Sequence, residues 1–301
     1  ASAIDRTGLD VTIRRVSLGL LLAISMGALP ACDSSEEQAE KHYQTGIELL
    51  QKGDIDRALV EFRNVFKLNG RHHDARAAYA RAERQRGNLR ESYSQFLRLV
   101  EQYPDDLEGR IALAEMAMET SNWEALENQA GEAARLAPDN AAVKALQVVL
   151  DYRKALIARD DTARAKARKA ADMLILADTK LIAARRVVVD DQMRDSDWKG
   201  ALATIDAGLK IDPDVRDLYP LRLGALYQLG DTAEIERQLR EMVAMAPGDR
   251  QVETALIGWY MRQGQPDAAE AFLRERIDPA DPKPDRRVDL IRFLVEVRGM
   301  D

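Results

Sequence analysis

From Leu49 onward apolar residues return at helical spacing: Leu49 and Leu50, then Leu59, Phe62, Val65 and Phe66, with polar and charged positions between them. Recurrence at three and four residues gathers such side chains on one face, so the pattern predicts amphipathic α-helices. These helices repeat at a fixed interval. Gly53 and Gly87, Phe62 and Phe96, Pro104 and Pro138, Pro213 and Pro247, and Gly230 and Gly264 are each 34 residues apart. Glycine at the turns permits a left-handed backbone, and proline opens the next loop without interrupting a helix. The middle of the chain breaks the interval. Pro138 to Pro213 and Trp123 to Trp198 both span 75 residues, so one unit carries about seven extra residues, close to two helical turns. The spacing places a lengthened helix at roughly 140–158, inside an irregular unit of residues 140–178. A last helix is predicted from Pro284 and Asp285 through Leu290, Ile291, Leu294 and Val295. This helix either caps the array or belongs to an array that continues past Asp301; its outward face reads apolar where solenoid ends normally turn polar, which favours continuation.

A 34-residue period with Gly near the middle and Pro near the end resembles the tetratricopeptide repeat, two antiparallel helices per unit. In the first unit the resemblance rests on Gly46, Gly53, Ala58 and Phe62; in the second on Ala80, Gly87, Phe96 and Pro104. The third contributes Leu113, Ala114, Trp123, Ala133 and Pro138, and the last two Gly230, Leu239, Pro247, Leu256, Tyr260, Gly264 and Ala269. It implies an all-α fold, a right-handed superhelical solenoid of about seven units plus a terminal helix, over residues 39–301. It also implies a concave groove lined by first helices that binds extended or helical peptides. Carried over position by position, the groove residues are Tyr43, Ile47 and Gln51, then Ala77, Arg81, Arg84 and Gln85, then Ile111, Glu115 and Met118, with Arg186, Asp190, Tyr227 and Met261 further on. Arg81 and Arg84 stand out because a guanidinium can grip a carboxylate through two hydrogen bonds. Tyr43 and Ile47 occupy positions where the carboxylate-clamp subfamily needs Lys and Asn, so chaperone C-terminal tails are not the expected ligand.

The beginning of the chain follows a different logic. Arg14 and Arg15 precede an uncharged run to Cys32 whose most apolar part, Leu18 to Ala28, is about 11 residues long. That is roughly half the ~20 residues a spanning helix needs and suits a secretory signal peptide. Residues 1–31 are read as that signal, with residues 1–13 an upstream extension. Leu29-Pro30-Ala31-Cys32 resembles a lipobox, which implies that Cys32, the one cysteine of the chain, is lipidated and becomes the N-terminus. Several acyl chains together hold a protein stably on a membrane. Residues 32–38, acidic and polar, are expected to form a flexible tether. By analogy with enterobacterial lipoproteins, Asp33 favours retention at the inner membrane, and the chain would face the periplasm.

Composition narrows the function. Hydrophobic residues make up 46% but aromatic ones only 5%, which suits helices. A net charge of −7 argues against nucleic acid as a partner. Against that balance, Arg153 to Arg186 holds ten Lys or Arg and four Asp. Arg153, Lys154, Arg164, Lys166, Arg168 and Lys169 could therefore form a basic patch for an acidic partner, anionic lipid heads or an anionic polysaccharide; a solvated helix face is the plainer reading. No phosphate-cradling loop, dinucleotide fingerprint or nucleophile elbow is present. His72 and His73 are adjacent and read as surface or capping residues, as do the pairs Asp160-Asp161 and Asp190-Asp191. No catalytic residue, metal site or cofactor is expected. The leading reading is a membrane-anchored scaffold for envelope proteins or peptides, its layout similar to lipidated repeat proteins of exopolysaccharide export and protein sorting. A recruiting region of a longer enzyme and a soluble periplasmic adaptor remain the alternatives. Feeding cells a palmitate analogue should label the wild-type chain and not Cys32→Ala; an unlabelled wild type would leave only the soluble forms.

Overall fold

The structure, a computed structural model, describes residues 34–278 and 285–299. Among them are fifteen α-helices and no strand. Consecutive helices pair into seven antiparallel hairpins. These are α1 (Ser35–Gln51) with α2 (Ile55–Leu68), α3 (His73–Arg86) with α4 (Leu89–Gln102), α5 (Leu107–Glu119) with α6 (Trp123–Leu136), and α7 (Ala141–Ala158) with α8 (Asp161–Ala177). Then follow α9 (Ile182–Arg194) with α10 (Trp198–Ile211), α11 (Leu218–Leu229) with α12 (Thr232–Met245), and α13 (Arg250–Arg262) with α14 (Pro266–Glu275). A final helix, α15 (Asp285–Arg298), packs on α14. Each hairpin stacks on the next, giving the expected all-α solenoid of seven units and a terminal helix.

The signal region, Cys32 and Asp33 lie outside the described residues. One boundary differs from expectation: residues 35–38, read as tether, form the first turn of α1. Ser34 accepts a hydrogen bond from the Glu37 N–H while the Glu37 carboxylate accepts from the Ser34 N–H, a reciprocal capping box that starts the helix early.

The turn inside every hairpin has one backbone solution. Gly53, Gly87, Gly230 and Gly264 have positive φ, and where glycine is missing, Ser121, Arg159 and Ser196 adopt positive φ instead. Marked this way, the interval is 34 residues except around Arg159, where it widens to 38 and 37. The insertion is thus shared. α7 has 18 residues against 13 in α5, and α8 has 17 against 14 in α6.

Packing explains which residues recur. The first helix of an inner unit is sandwiched between its partner and the neighbouring units, so α3 buries Ala75, Ala77, Ala78, Ala80 and Ala82. The second helix buries one stripe, as α2 does with Ala58, Leu59, Phe62 and Val65. Gly46 shows how close the helices come: a Cβ there would sit 2.6 Å from the Phe62 ring.

A second device repeats at the same interval: Arg76 and Arg110 are 34 residues apart, as are Gln95 and Gln129. Arg76 donates to the Gly70 carbonyl at 2.5 Å and to Gln95 Oε1 at 2.6 Å. Arg110 does the same with the Pro104 carbonyl and Gln129, and Arg185 with the carbonyls of Thr179 and Thr204. Each guanidinium links the loop before its helix to the second helix of its own hairpin. Arg76 and Arg185 are almost wholly buried, and burial pushes both below the usual arginine value.

A left-handed conformation costs a non-glycine residue about 1–2 kcal/mol. The double substitution Ser121→Gly and Ser196→Gly should therefore raise the melting temperature, with a gain of about 0.5–1 kcal/mol at each turn after the entropy of glycine is subtracted. Calorimetry showing a lower melting temperature would contradict this account of the turns.

Candidate functional site

The 34-residue interval puts equivalent residues of α3 and α5 side by side on the inner face: Arg81 beside Glu115, Arg84 beside Met118, and Gln85 beside Glu119. The array curls far enough that a distant segment closes over them. Residues 212–217, between α10 and α11, meet the end of α3, and Arg216 reaches the Gln85 carbonyl at 3.5 Å. A Cβ on Gly87 would stand 2.6 Å from the Arg216 guanidinium, so this turn glycine also makes room for the crossing. Between α3, α5, the start of α9 and the 212–217 loop lies a cleft of about 410 Å³.

Its floor is a charge network. Arg84 donates to Glu115 at 3.2 Å and to Glu119, while Arg186 of α9 donates to Asp217 at 2.7 Å. Burial raises both glutamates above the usual carboxylate value; Arg84 pulls them down, and Asp217 adds to the upward push. Burial lowers Arg84 too, but Glu119 and Glu115 together outweigh it and hold the guanidinium firmly charged. Leu89, Met118, Ile182 and Val215 give the walls apolar surface. Such a cleft suits a chain segment that has both polar groups and apolar side chains.

Of the groove residues read from the sequence, Arg81, Arg84, Gln85, Glu115 and Met118 line this cleft. Arg81 pairs with Glu108 on the same face. Tyr43 and Ile47 pack against the first core cluster, and Tyr43 lies against His72 with ring centroids 5.0 Å apart. Gln51 is exposed at the end of α1, and Ile111 packs against the central core. Ala77 is buried in α3. Arg186 and Asp190 border a second hollow between α7 and α9. Tyr227 stands edge-on to Trp259, and Met261, two residues after that tryptophan, is exposed. Sequence reasoning missed Glu119, Asp217 and Arg216. Glu119 follows Gln85 by one period and could have been found; in the 212–217 loop Pro213 marks the period, but no local pattern shows that Arg216 reaches α3 or that Asp217 joins the cleft.

The basic window resolves into two groups. Arg164 donates to Asp191 at 2.6 Å and to Asp195 at 2.5 Å; Arg168 donates to Asp191 at 3.0 Å and to Asp172 at 3.1 Å. Arg153 stacks on the Trp123 ring at 4.6 Å and lies 3.5 Å from Glu127. These arginines are engaged within the fold, while Lys154, Lys166 and Lys169 are exposed. The excess charge of the window arose because Asp190, Asp191 and Asp195 lie just beyond it, on the helix that packs against α8. Asp191 also corrects the capping reading. It is a nearly buried hub that takes hydrogen bonds from Arg164, Arg168 and the Tyr152 hydroxyl. Hydrogen bonding to Asp195, with Asp191 adding to it, raises Arg164; burial and Asp190 raise Tyr152.

His72 caps α3 by accepting from the Ala75 N–H, and His73 bridges to Asp106, the cap of α5, at 2.6 Å. Among the described residues, no group of three or more His, Cys, Asp or Glu side chains is placed to hold a metal ion. Nor is any helix among them long and apolar enough to cross a membrane.

Removing Arg84 would leave Glu115 and Glu119 without their cation. Because both carboxyls titrate above their unfolded value, their ionisation destabilises the fold as pH rises through that interval. Arg84→Met should thus cost about 1–3 kcal/mol at pH 8, a buried-pair loss discounted for partial exposure, and clearly less at pH 5. Urea unfolding at the two pH values would measure it; an equal loss at both would show that the pair is not electrostatically coupled.

Residues 49–116 match the family model described as tetratricopeptide repeat. Solved structures with a similar course of chain include a tetratricopeptide repeat protein from Parabacteroides merdae, 12% identical over 85% of this chain and 98% of that one, with a TM-score of 0.46. Yeast Tom70 is 15% identical over 88% of this chain and 55% of its own, with a TM-score of 0.49. PilF from Pseudomonas aeruginosa is 14% identical over 73% and 97%, with a TM-score of 0.40. No curated protein matches the sequence. The family match over residues 49–116 and the stacked hairpins that continue the same architecture together support a tetratricopeptide-repeat protein.

Proposed function

We propose that this chain is a periplasm-facing scaffold, held to a membrane by lipid on Cys32, that binds envelope proteins or their peptide segments in its concave groove. The observation that carries the reading is the cleft itself. Arg84, Glu115 and Glu119 from two successive units and Asp217 from a third meet there beside apolar walls. A groove of that kind offers a peptide charged groups for its backbone and polar side chains and apolar surface for the rest. Binding is proposed rather than chemistry, because Arg84, Glu115, Glu119 and Asp217 are held in ion pairs and none of them is paired as nucleophile and base.

The lipidated cysteine would stand two residues before the Ser34 cap of α1, so the anchor joins the array almost directly. Partners seated in the groove would then be kept close to the membrane surface, where their effective concentration is raised.

Affinity capture of the membrane-anchored protein, read by mass spectrometry, should return a reproducible set of envelope proteins. The set should shrink when Arg84→Glu reverses the charge of the cleft. Capture that is empty, or indifferent to Arg84→Glu, would remove the groove from the function.

A further inference from the structure

We infer that the inserted turn of α7 builds a socket for one bulky apolar side chain of a bound peptide, with a neighbouring acidic residue held by arginines on its rim. The inference rests on the groove reading above and names the chemistry of its ligand.

The geometry follows from the insertion. Measured against α5, the helix one period earlier, α7 has five residues more, and they bring Leu156 and Ile157 past the point where a regular first helix turns back. Facing them across the concave side is α9. The hollow between the two helices has a volume of about 370 Å³, at the small end of the ~300–1,000 Å³ typical of ligand sites. Its floor is apolar: Met118, Val149 and Val187 are almost wholly buried, and Trp123 stands at one side. At the lip, Ile157 is 67% exposed. Covering it removes apolar surface from water, so an apolar side chain seated against this lip gains from both surfaces.

Charge selects the occupant. Arg153, Arg186 and Arg194 border the hollow against a single carboxylate, Asp190. Two of the guanidinium groups have replaceable partners. Arg194 pairs with Asp190 where both are about half exposed, and Arg153, partly buried, lies 3.5 Å from a half-exposed Glu127. Exposed pairs of this kind are worth little, whereas an incoming carboxylate can take two hydrogen bonds from one guanidinium. A basic residue beside the apolar anchor would meet like charge. Arg153 also stacks on Trp123, which fixes its guanidinium at the rim. The socket adjoins the charged cleft, since Met118 borders both and Arg186 reaches into the cleft to Asp217. A peptide lying along the groove passes from one to the other.

The test is selection of linear dodecapeptides displayed on phage against the full chain, followed by fluorescence anisotropy with labelled synthetic copies. Enriched peptides should place Leu, Ile, Met, Phe or Trp within two positions of Asp or Glu. Their affinity should fall at least tenfold with Ile157→Asp or Arg153→Glu and be kept by Ile157→Leu, with unchanged circular dichroism. Both altered side chains lie at the surface or rim, so the variants should fold. Peptides that lack this pattern, or that lose affinity with Arg84→Glu but ignore both socket variants, would overturn the socket and leave the groove standing. A failure to enrich any peptide would overturn both.

Discussion

Everything in this structure depends on the burial of each first helix between its own partner and the neighbouring hairpins. A single hairpin can cover only part of its apolar surface, so no unit is stable alone and stacking supplies the core. The sandwiched helix must be slim on several sides at once, which is why the buried positions of α3 are mostly alanine and those of α9 mostly alanine and valine. Close approach has a consequence for the backbone. The loop carbonyls at Gly70, Pro104 and Thr179 end up against protein, and Arg76, Arg110 and Arg185 reach back to satisfy them. An arginine stem packs like a hydrocarbon while its head donates several hydrogen bonds, so one residue type serves both needs.

The irregular unit shows how the same constraint accommodates an insertion. Lengthening α7 and α8 exposes helix ends that the regular interface would leave uncovered. The added length of α8 is held by Arg164 and Arg168, which converge on Asp191 of α9 together with Tyr152 of α7. A nearly buried carboxylate is costly unless paired and hydrogen-bonded, and here three donors meet that requirement. The convergence ties three helices at one point and leaves the extra turn of α7 projecting over the groove. An insertion that would otherwise be a packing defect thereby shapes the proposed binding face.

Much of the architecture was legible beforehand because it depends on local rules. The recurrence of Gly53, Gly87, Gly230 and Gly264 marks turns whose φ is positive, and Phe62 and Phe96 mark the buried stripe. Arg81, Arg84 and Glu115 could be placed on the inner face since helical period and repeat period together fix their direction. The early start of α1 was missed because a capping box outweighed the polar composition of residues 35–38. Which cations of the basic window are engaged was not legible, because charge was summed along the chain, whereas the carboxylates that take Arg164 and Arg168 come largely from the next helix in space.

The sequence by itself therefore determined the helices, their pairing and the length of the insertion, all of which follow from periodicity within one or two units. Only the tertiary structure decided that residues 212–217 close over α3, that Arg84 holds two raised carboxyls, and that α7 and α9 enclose a hollow. These depend on curvature accumulated over several hairpins, a sum of small rotations at each interface that no local pattern encodes.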